Sequence, residues 1–331
     1  MNASFWRDRP VLVTGCTGLL GSWLTQALVE AKADVVGLIR DDVPQSQLAR
    51  SGVIYSIRIA RGDVTDYATM ERVLNEYEID TVFHLAAQTI VGIANRAPLS
   101  TFETNIRGTW TTLEAARRSP TVTRILVASS DKAYGTQPVL PYTEDMPLHG
   151  EHPYDVSKSA ADLVAQTYAK TYDMPIAITR CANLYGGGDL NWNRLIPGTI
   201  RSALQGEQPI IRSDGTFVRD YLYVRDAVRA YLMLAQALDN PEIRGQAFNC
   251  STDEPLSVLE MTQLILRLSP HPTLEPIVLD EVRNEIKDQY LNSAKLHAAL
   301  GWQPAWSREA AMVETMAWYA QYLGYKLQVE S

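Results

Sequence analysis

The stretch VLVTGCTGLLGSWL, Val11 to Leu24, decides how this chain reads. Val11-Leu12-Val13 is an apolar strand. It runs into a turn with glycines at Gly15, Gly18 and Gly21, and a helix begins there. Gly15 permits a tight turn, Gly18 lets backbone approach a ligand with no Cβ in the way, and Gly21 lets the helix pack closely on the strand. Free N–H groups at the helix start carry partial positive charge and suit a pyrophosphate. Strand, G-x-x-G-x-x-G turn and helix together read as the opening of a dinucleotide-binding βαβ unit. They put Gly15, Thr17, Gly18, Leu19, Leu20 and Gly21 against the cofactor.

Outward from that turn, short Val/Ile/Leu runs alternate with helical patterns. Strands are expected at 10–14, 34–39, 54–60, 80–85, 123–129 and 175–180, and helices at 19–31, 66–76, 99–117 and 153–172. Continuous apolar runs belong to strands buried on both faces, and alternating βαβ units make a parallel sheet between two helix layers. The expectation is an α/β doubly wound parallel sheet, with every strand's C-terminal end on the ligand-binding edge. After residue 183 Pro and Gly become frequent and the elements shorten. Residues 1–183 read as the dinucleotide-binding domain, to which 222–250 return. Residues 184–221 and 251–331 read as a smaller C-terminal substrate-binding lobe, with 268–292 irregular and a flap on the ligand.

Composition sets the outer bounds. The chain has 331 residues, 46% of them hydrophobic, enough for a large core in one or two domains. A net charge of -8, from 38 acidic against 30 basic residues, argues against a general nucleic-acid binder. Cys16, Cys181 and Cys250 are odd in number and show no C-x-x-C spacing, so neither a zinc site nor a disulfide framework is expected. A reducing, cytoplasmic setting follows. The start, MNASFWRDRP, is too polar for a signal peptide. No apolar run approaches the roughly 18 residues that suggest a membrane span.

The second motif is Tyr154-Asp155-Val156-Ser157-Lys158, at the start of a long helix, where Tyr154 and Lys158 share one face. A phenol with pKa about 10 is a poor base at neutral pH. A nearby lysine ammonium and an oxidised nicotinamide favour the phenolate, which can take a proton from a sugar hydroxyl while hydride leaves the same carbon. At the end of the second strand, Asp41 suits the adenosine ribose hydroxyls of NAD, whereas Arg40 suits the extra phosphate of NADP. NAD is the expected cofactor. His84, His149 and His152 have no carboxylate or cysteine pattern beside them, so no metal is expected.

These residues carry a family resemblance over nearly the whole chain. It rests on VTGCTGLLG, Gly62-Asp63-Val64, His84 to Gln88, Thr104 to Thr109, YDVSK, Arg219-Asp220-Tyr221 with Val224 and Asp226, and Leu300 to Pro304. The chain resembles an extended short-chain dehydrogenase/reductase of the nucleotide-sugar epimerase/dehydratase type. The resemblance implies cofactor contacts from Asp63, at the adenine, and from Val64, Leu85, Ala86, Ala87, Gln88 and Asn105. Gln88 is expected near the nicotinamide ribose and the diphosphate. It also implies that Asn183 and Arg219 hold a sugar nucleotide's diphosphate, with Arg194, Leu195 and Ile196 on the substrate, and that the protein is a homodimer through 99–117 and 153–172.

Within the family, Ser129-Ser130-Asp131-Lys132-Ala133-Tyr134-Gly135 decides the chemistry. By resemblance Ser130 takes the place of the catalytic Ser/Thr. Epimerases usually carry small uncharged residues at the next two positions, and 4,6-dehydratases carry charged ones. Ser-Asp-Lys is similar to the CDP-glucose 4,6-dehydratase version. Cys16 and Leu19-Leu20 depart from that subgroup, and Tyr134-Gly135 follows the wider family. Dehydration needs Asp131 as a protonated acid. Lys132 then acts either as a base or as a cation on an enolate-like intermediate, and the bland alternative is that the two merely pair with each other. A 4-epimerase using Ser130, Tyr154 and Lys158 is the rival, and a non-catalytic dinucleotide sensor is the remote one.

Overall fold

The computed structural model describes residues 3–281 and 286–325. Seven strands form one sheet: β1 (Pro10–Thr14), β2 (Asp34–Ile39), β3 (Arg58–Arg61), β4 (Thr81–His84), β5 (Arg124–Ala128), β6 (Ile176–Cys181) and β7 (Ala247–Cys250). All neighbours are parallel, in the order β7-β6-β5-β4-β1-β2-β3. This is the doubly wound order of the Rossmann fold, and its crossover reverses beside β1.

The alternation of side chains along a strand divides the core into two layers. Val11 and Val13 face one side with Phe83, Leu126, and Leu20, Leu24 and Leu28 of helix α1 (Leu19–Glu30). Leu12 faces the other side with Val82 and Ile125. There it meets Met70, Val73 and Leu74 of α2 (Tyr67–Glu76) and Leu113 of α3 (Gly108–Arg118). Helix α4 (Pro153–Tyr172) covers this second face too, through Ala165 and Ala169. Each fully buried aliphatic side chain contributes roughly 1.5–3 kcal/mol of transfer free energy. Helix α5 (Leu195–Gln205) belongs to the C-terminal part of the chain, and α6 (Val224–Ala237) packs beside α1.

Three expectations change. The run at 54–60 is not one strand. Gly52, at φ +77°, starts a 3-10 turn over Val53–Ser56, and the strand begins only at Arg58. The helix expected at 99–117 is three pieces: Pro98–Phe102, a π turn over Glu103–Arg107, and α3. The stretch 268–292 is partly ordered in strands. Ile277–Val278 pairs with Ile210–Ile211, and Asp288–Gln289 pairs with Val218–Arg219. Residues 282–285 of it lie outside the described residues. Among the described residues, no helix is long and apolar enough to cross a membrane.

Beneath the sheet's C-terminal edge, Arg180 of β6 forks onto Asp162 of α4, with Nε at 2.8 Å and Nη2 at 3.1 Å from the carboxylate oxygens. Both residues are fully buried. Arg180 also donates to the Tyr134 hydroxyl at 2.8 Å, which donates to Asn249 Oδ1 of β7 at 2.7 Å. A buried fork left without its carboxylate strands a charge in the core. Asp162→Ala should therefore lower the unfolding free energy by about 3–5 kcal/mol in urea titrations.

Candidate active site

The C-terminal ends of β1, β2, β4, β5 and β6 border one cleft of about 970 Å³. At its β1 end Gly15 stands at φ +70°, with a Cβ position only 2.8 Å from the Ala86 nitrogen. Gly21 is tighter still: a Cβ there would lie 2.1 Å from the Gly15 carbonyl oxygen. Its absent side chain thus makes room for the turn itself, at Gly15 and Cys16, and not for the strand behind it. Gly18 precedes the first turn of α1 and offers no side-chain cap, so the N–H groups of that turn face the cleft uncapped. Thr14 Oγ1 accepts from the N–H groups of Leu85 (3.1 Å) and Ala86 (3.2 Å), tying the ends of β1 and β4 together.

Thr17, Leu19, Leu20, Arg40, Asp41, Asp63, Val64 and Leu85 to Ala87 all line this end. Arg40 sits between two acids, with Nε 2.7 Å from Asp41 and Nη1 3.4 Å from Asp63. Burial pushes the Asp63 carboxyl up, but hydrogen bonds from Thr65 and from Arg40 outweigh it and hold the group below its usual range.

Gln88 lies in the chain between the wall residues Ala87 and Thr89, and Asn105 is buried next to the wall residue Thr104. Gln88 Oε1 accepts from the Ile90 N–H at 2.9 Å. Asn105 is buried in the π turn. Its Oδ1 accepts from Gln88 N (2.7 Å), and its Nδ2 donates to Gln88 O (3.0 Å) and Ser157 Oγ (2.8 Å). Ser157 Oγ in turn donates to the Tyr154 carbonyl at 2.6 Å. Asn105 thus joins the loop after β4 to the first turn of α4, a linking role the sequence did not disclose.

At the centre of the cleft, Ser130, Asp131, Lys132, Tyr154 and Lys158 come together. Lys158 Nζ donates to the Ala128 carbonyl at the end of β5 at 2.8 Å. Burial pulls this ammonium down to about 8. Burial also pushes the Tyr154 phenol up to about 12. The largest opposing influence is the Arg194 guanidinium, and a hydrogen bond with Ser130 acts in the same sense. Burial is the larger influence, and Arg194 leads the opposition. Ser130 Oγ donates to Asp131 Oδ1 at 2.9 Å, and Lys132 Nζ stands 3.2 Å from Asp131 Oδ2. Asp155, the next residue along α4, is pushed up to about 6 by burial, against the pull of Lys132.

The far wall holds Asn183, Arg194, Leu195, Ile196 and Arg219. Arg194 pairs with the buried Asp189 at 2.9 Å, just ahead of α5. Arg219 donates to the backbone oxygens of Ile286 and Lys287, each at 2.6 Å. Arg96 and Arg212 also line the cleft and were not singled out in the sequence, where each is one arginine among many. Gln289 was missed as well; its buried amide accepts from Lys132 Nζ. His84 is buried among Thr14, Thr109 and Thr112, and burial drives it down to about 3.

The residues present fit a nicotinamide dinucleotide. Gly15 and Gly21 occupy positions that a Cβ would block, and the start of α1 is uncapped toward the cleft. Ser129 Oγ is buried in the wall without a hydrogen-bond partner among the described residues.

The model of the NAD dependent epimerase/dehydratase family matches residues 11–251. The dTDP-glucose 4,6-dehydratase of Haemophilus influenzae is 31% identical, over 93% of this chain and 97% of its own. The CDP-glucose 4,6-dehydratase of Salmonella typhimurium is 28% identical, over 98% of this chain and 94% of its own. The crystal structure of UDP-glucose 4-epimerase from Thermotoga maritima, solved with UDP-glucose, overlays with a TM-score of 0.86 at 27% identity, covering 95% of this chain and 99% of that one.

The glycine turn generates the test for this end of the cleft. A methyl at Gly21 must displace the Gly15 carbonyl, so Gly21→Ala should weaken NAD binding by at least about tenfold, a loss of roughly 1.4 kcal/mol. Titration of the purified protein with NADH, followed by fluorescence, measures it.

Proposed function

This chain belongs to the NAD dependent epimerase/dehydratase family, and from that premise we propose that it is a nucleotide-sugar 4,6-dehydratase acting on an NDP-hexose of the CDP-glucose kind. The observation that carries this reading is the charged pair Asp131-Lys132, seated in the same cleft as Tyr154, Lys158 and Ser130. A 4-epimerase has no water to remove and no need of such a pair.

The glycine turn, Asp41 and Asp63 would hold NAD, with the uncapped N–H groups of α1 available to its diphosphate. Arg40 is engaged by both acids, which favours NAD over NADP. When bound, NAD supplies the acceptance and return of one hydride. Tyr154 takes the proton of the C4 hydroxyl as C4 is oxidised, Ser130 orients that hydroxyl, and Lys158 steadies the phenolate. The new ketone makes the C5 proton acidic. The Asp131 carboxylate takes that proton and delivers it to the departing C6 oxygen, and Lys132 stands beside the negative charge that develops. Arg194, Arg219 and Asn183, on the far wall of the cleft, would take the sugar nucleotide's diphosphate, whose oxygens arginine forks match. In this reading residues 1–183 with 222–250 bind the cofactor, and 184–221 with 251–331 bind the nucleotide sugar.

We read the protein as a homodimer. Helices α3 and α4 pack together, yet keep Trp110, Val156 and Leu163 outward. Large apolar side chains on adjoining helices suit a self-complementary face. The three cysteines are buried free thiols, which fits a reducing, cytoplasmic setting. Light scattering on Leu163→Glu should report a monomer where the unaltered protein reports a dimer.

A 4-epimerase is the second reading. It is favoured by the overlay with UDP-glucose 4-epimerase and needs only Ser130, Tyr154 and Lys158. Mass spectrometry of CDP-, dTDP-, GDP- and UDP-linked hexoses after incubation with the protein separates the two. Loss of one water from one member establishes the dehydratase, and Asp131→Asn should slow that loss by about 100-fold or more. A product of unchanged mass and new retention time establishes the epimerase instead.

A further inference from the structure

Gln289 lies on the two-residue strand Asp288–Gln289, outside the cleft wall, and its side chain is almost fully buried. Its backbone is fixed from two sides. The strand pairs in parallel with Val218–Arg219, whose arginine grips the carbonyls of Ile286 and Lys287. Just beyond it, Tyr142 N donates to Tyr290 O at 2.9 Å, and Asn292 N donates to Tyr142 O at 3.0 Å.

The amide of Gln289 bridges the reaction pair. Nε2 donates to the Asp131 carbonyl at 3.4 Å. Oε1 accepts from Lys132 Nζ. The remaining partners of that ammonium are the Asp131 carboxylate, at 3.2 Å and 3.4 Å, and Asn183 Oδ1, at 3.5 Å. A lysine ammonium has three donors and no acceptor. Three residues offer oxygen to it here, so the nitrogen is surrounded by acceptors and turns no lone pair toward a substrate carbon.

We propose that Gln289 is a positioning residue that holds the Lys132 ammonium beside Asp131, so that Lys132 serves water removal by its charge and not as a base. The proposal rests on the dehydratase reading. The C5–H bond breaks, and its electron pair moves toward the C4 oxygen, where the fixed cation stabilises the enolate. The proton passes to the Asp131 carboxylate. Asp131 then gives it to the C6 oxygen as the C6–O bond breaks, its pair leaving with the oxygen. One water departs, the C5=C6 double bond remains, and Asp131 returns to its starting state.

The test reads the lysine directly. Competitive acetylation with acetic anhydride, followed by peptide mass spectrometry, gives the reactivity of Lys132 relative to the exposed Lys32. Gln289→Met, similar in length but without the acceptor, should raise the relative reactivity of Lys132 roughly tenfold, while Gln289→Glu should leave it near the original. Gln289→Asn, which keeps the amide but not the reach, replaces the Met variant if that one is unstable. On the substrate found by the panel, Gln289→Met should leave formation of reduced nicotinamide at 340 nm and KM within about twofold, and slow water release roughly tenfold, with recovery in Gln289→Glu. Lys132→Arg should retain measurable water release, and Lys132→Met should lose it. Equal acetylation of Lys132 with and without Gln289, or a Lys132→Arg protein as dead as Lys132→Met, overturns the proposal. If acetylation responds to Gln289 but no substrate loses water, the positioning stands and the dehydratase reading is what fails.

Discussion

A parallel sheet covered by helices on both faces leaves one place where side chains can meet a ligand: the edge formed by the C-terminal ends of its strands. Most of the residues gathered in the cleft are there because of that constraint. The turn after β1, the acids after β2, the loop after β4 and the Ser-Asp-Lys run after β5 are far apart in sequence. They are neighbours because right-handed crossovers bring each strand out on the same edge. Helix α4 then lays Tyr154 and Lys158 across the end of β5, held by the bond from Lys158 to Ala128. The fold is a device for convergence, and the contact of Gly21 with the Gly15 carbonyl sets how closely the first helix approaches that edge.

Burial is the second theme of the cleft. It raises the phenol of Tyr154 and the carboxyl of Asp155, and it lowers the ammonium of Lys158. Each group is displaced toward its uncharged form, as expected where water is scarce. The same scarcity strengthens charge–charge interactions, so arginines and lysines around the cleft act on one another's partners over several ångströms. Such an interior is costly for stability and useful for proton transfer.

Much of this was legible in the residues. The glycine triplet, the strand runs and Tyr154-x-x-x-Lys158 are local patterns with local physical causes, and the sheet formed as the alternation of apolar runs implied. What escaped is what depends on distant parts of the chain. Val53-Ile54-Tyr55 has strand composition, but Gly52 turns it into a 3-10 turn, and no window of apolar residues records that. The π turn at Glu103–Arg107 breaks a helix whose periodicity looked continuous, because Asn105 is drawn to the loop after β4 and to α4. Gln289 and Arg212 carry no motif at all. A glutamine in a stretch rich in charge gains meaning only when the chain folds back 157 positions to Lys132.

The strand Asp288–Gln289 has a consequence for how such a protein can change. It belongs to the part of the chain beyond the sheet, yet it touches Lys132 and Asp131 directly. The C-terminal part of the chain and the strand ends of the sheet are therefore not separate modules here. A lobe exchanged wholesale for that of a relative would bring along its own residue at this position. It would retune the charged pair even with every residue of the sheet domain untouched. Chimeras in this fold are best cut so that Asp288 and Gln289 travel with the strand ends they serve, and not with the loops that surround them.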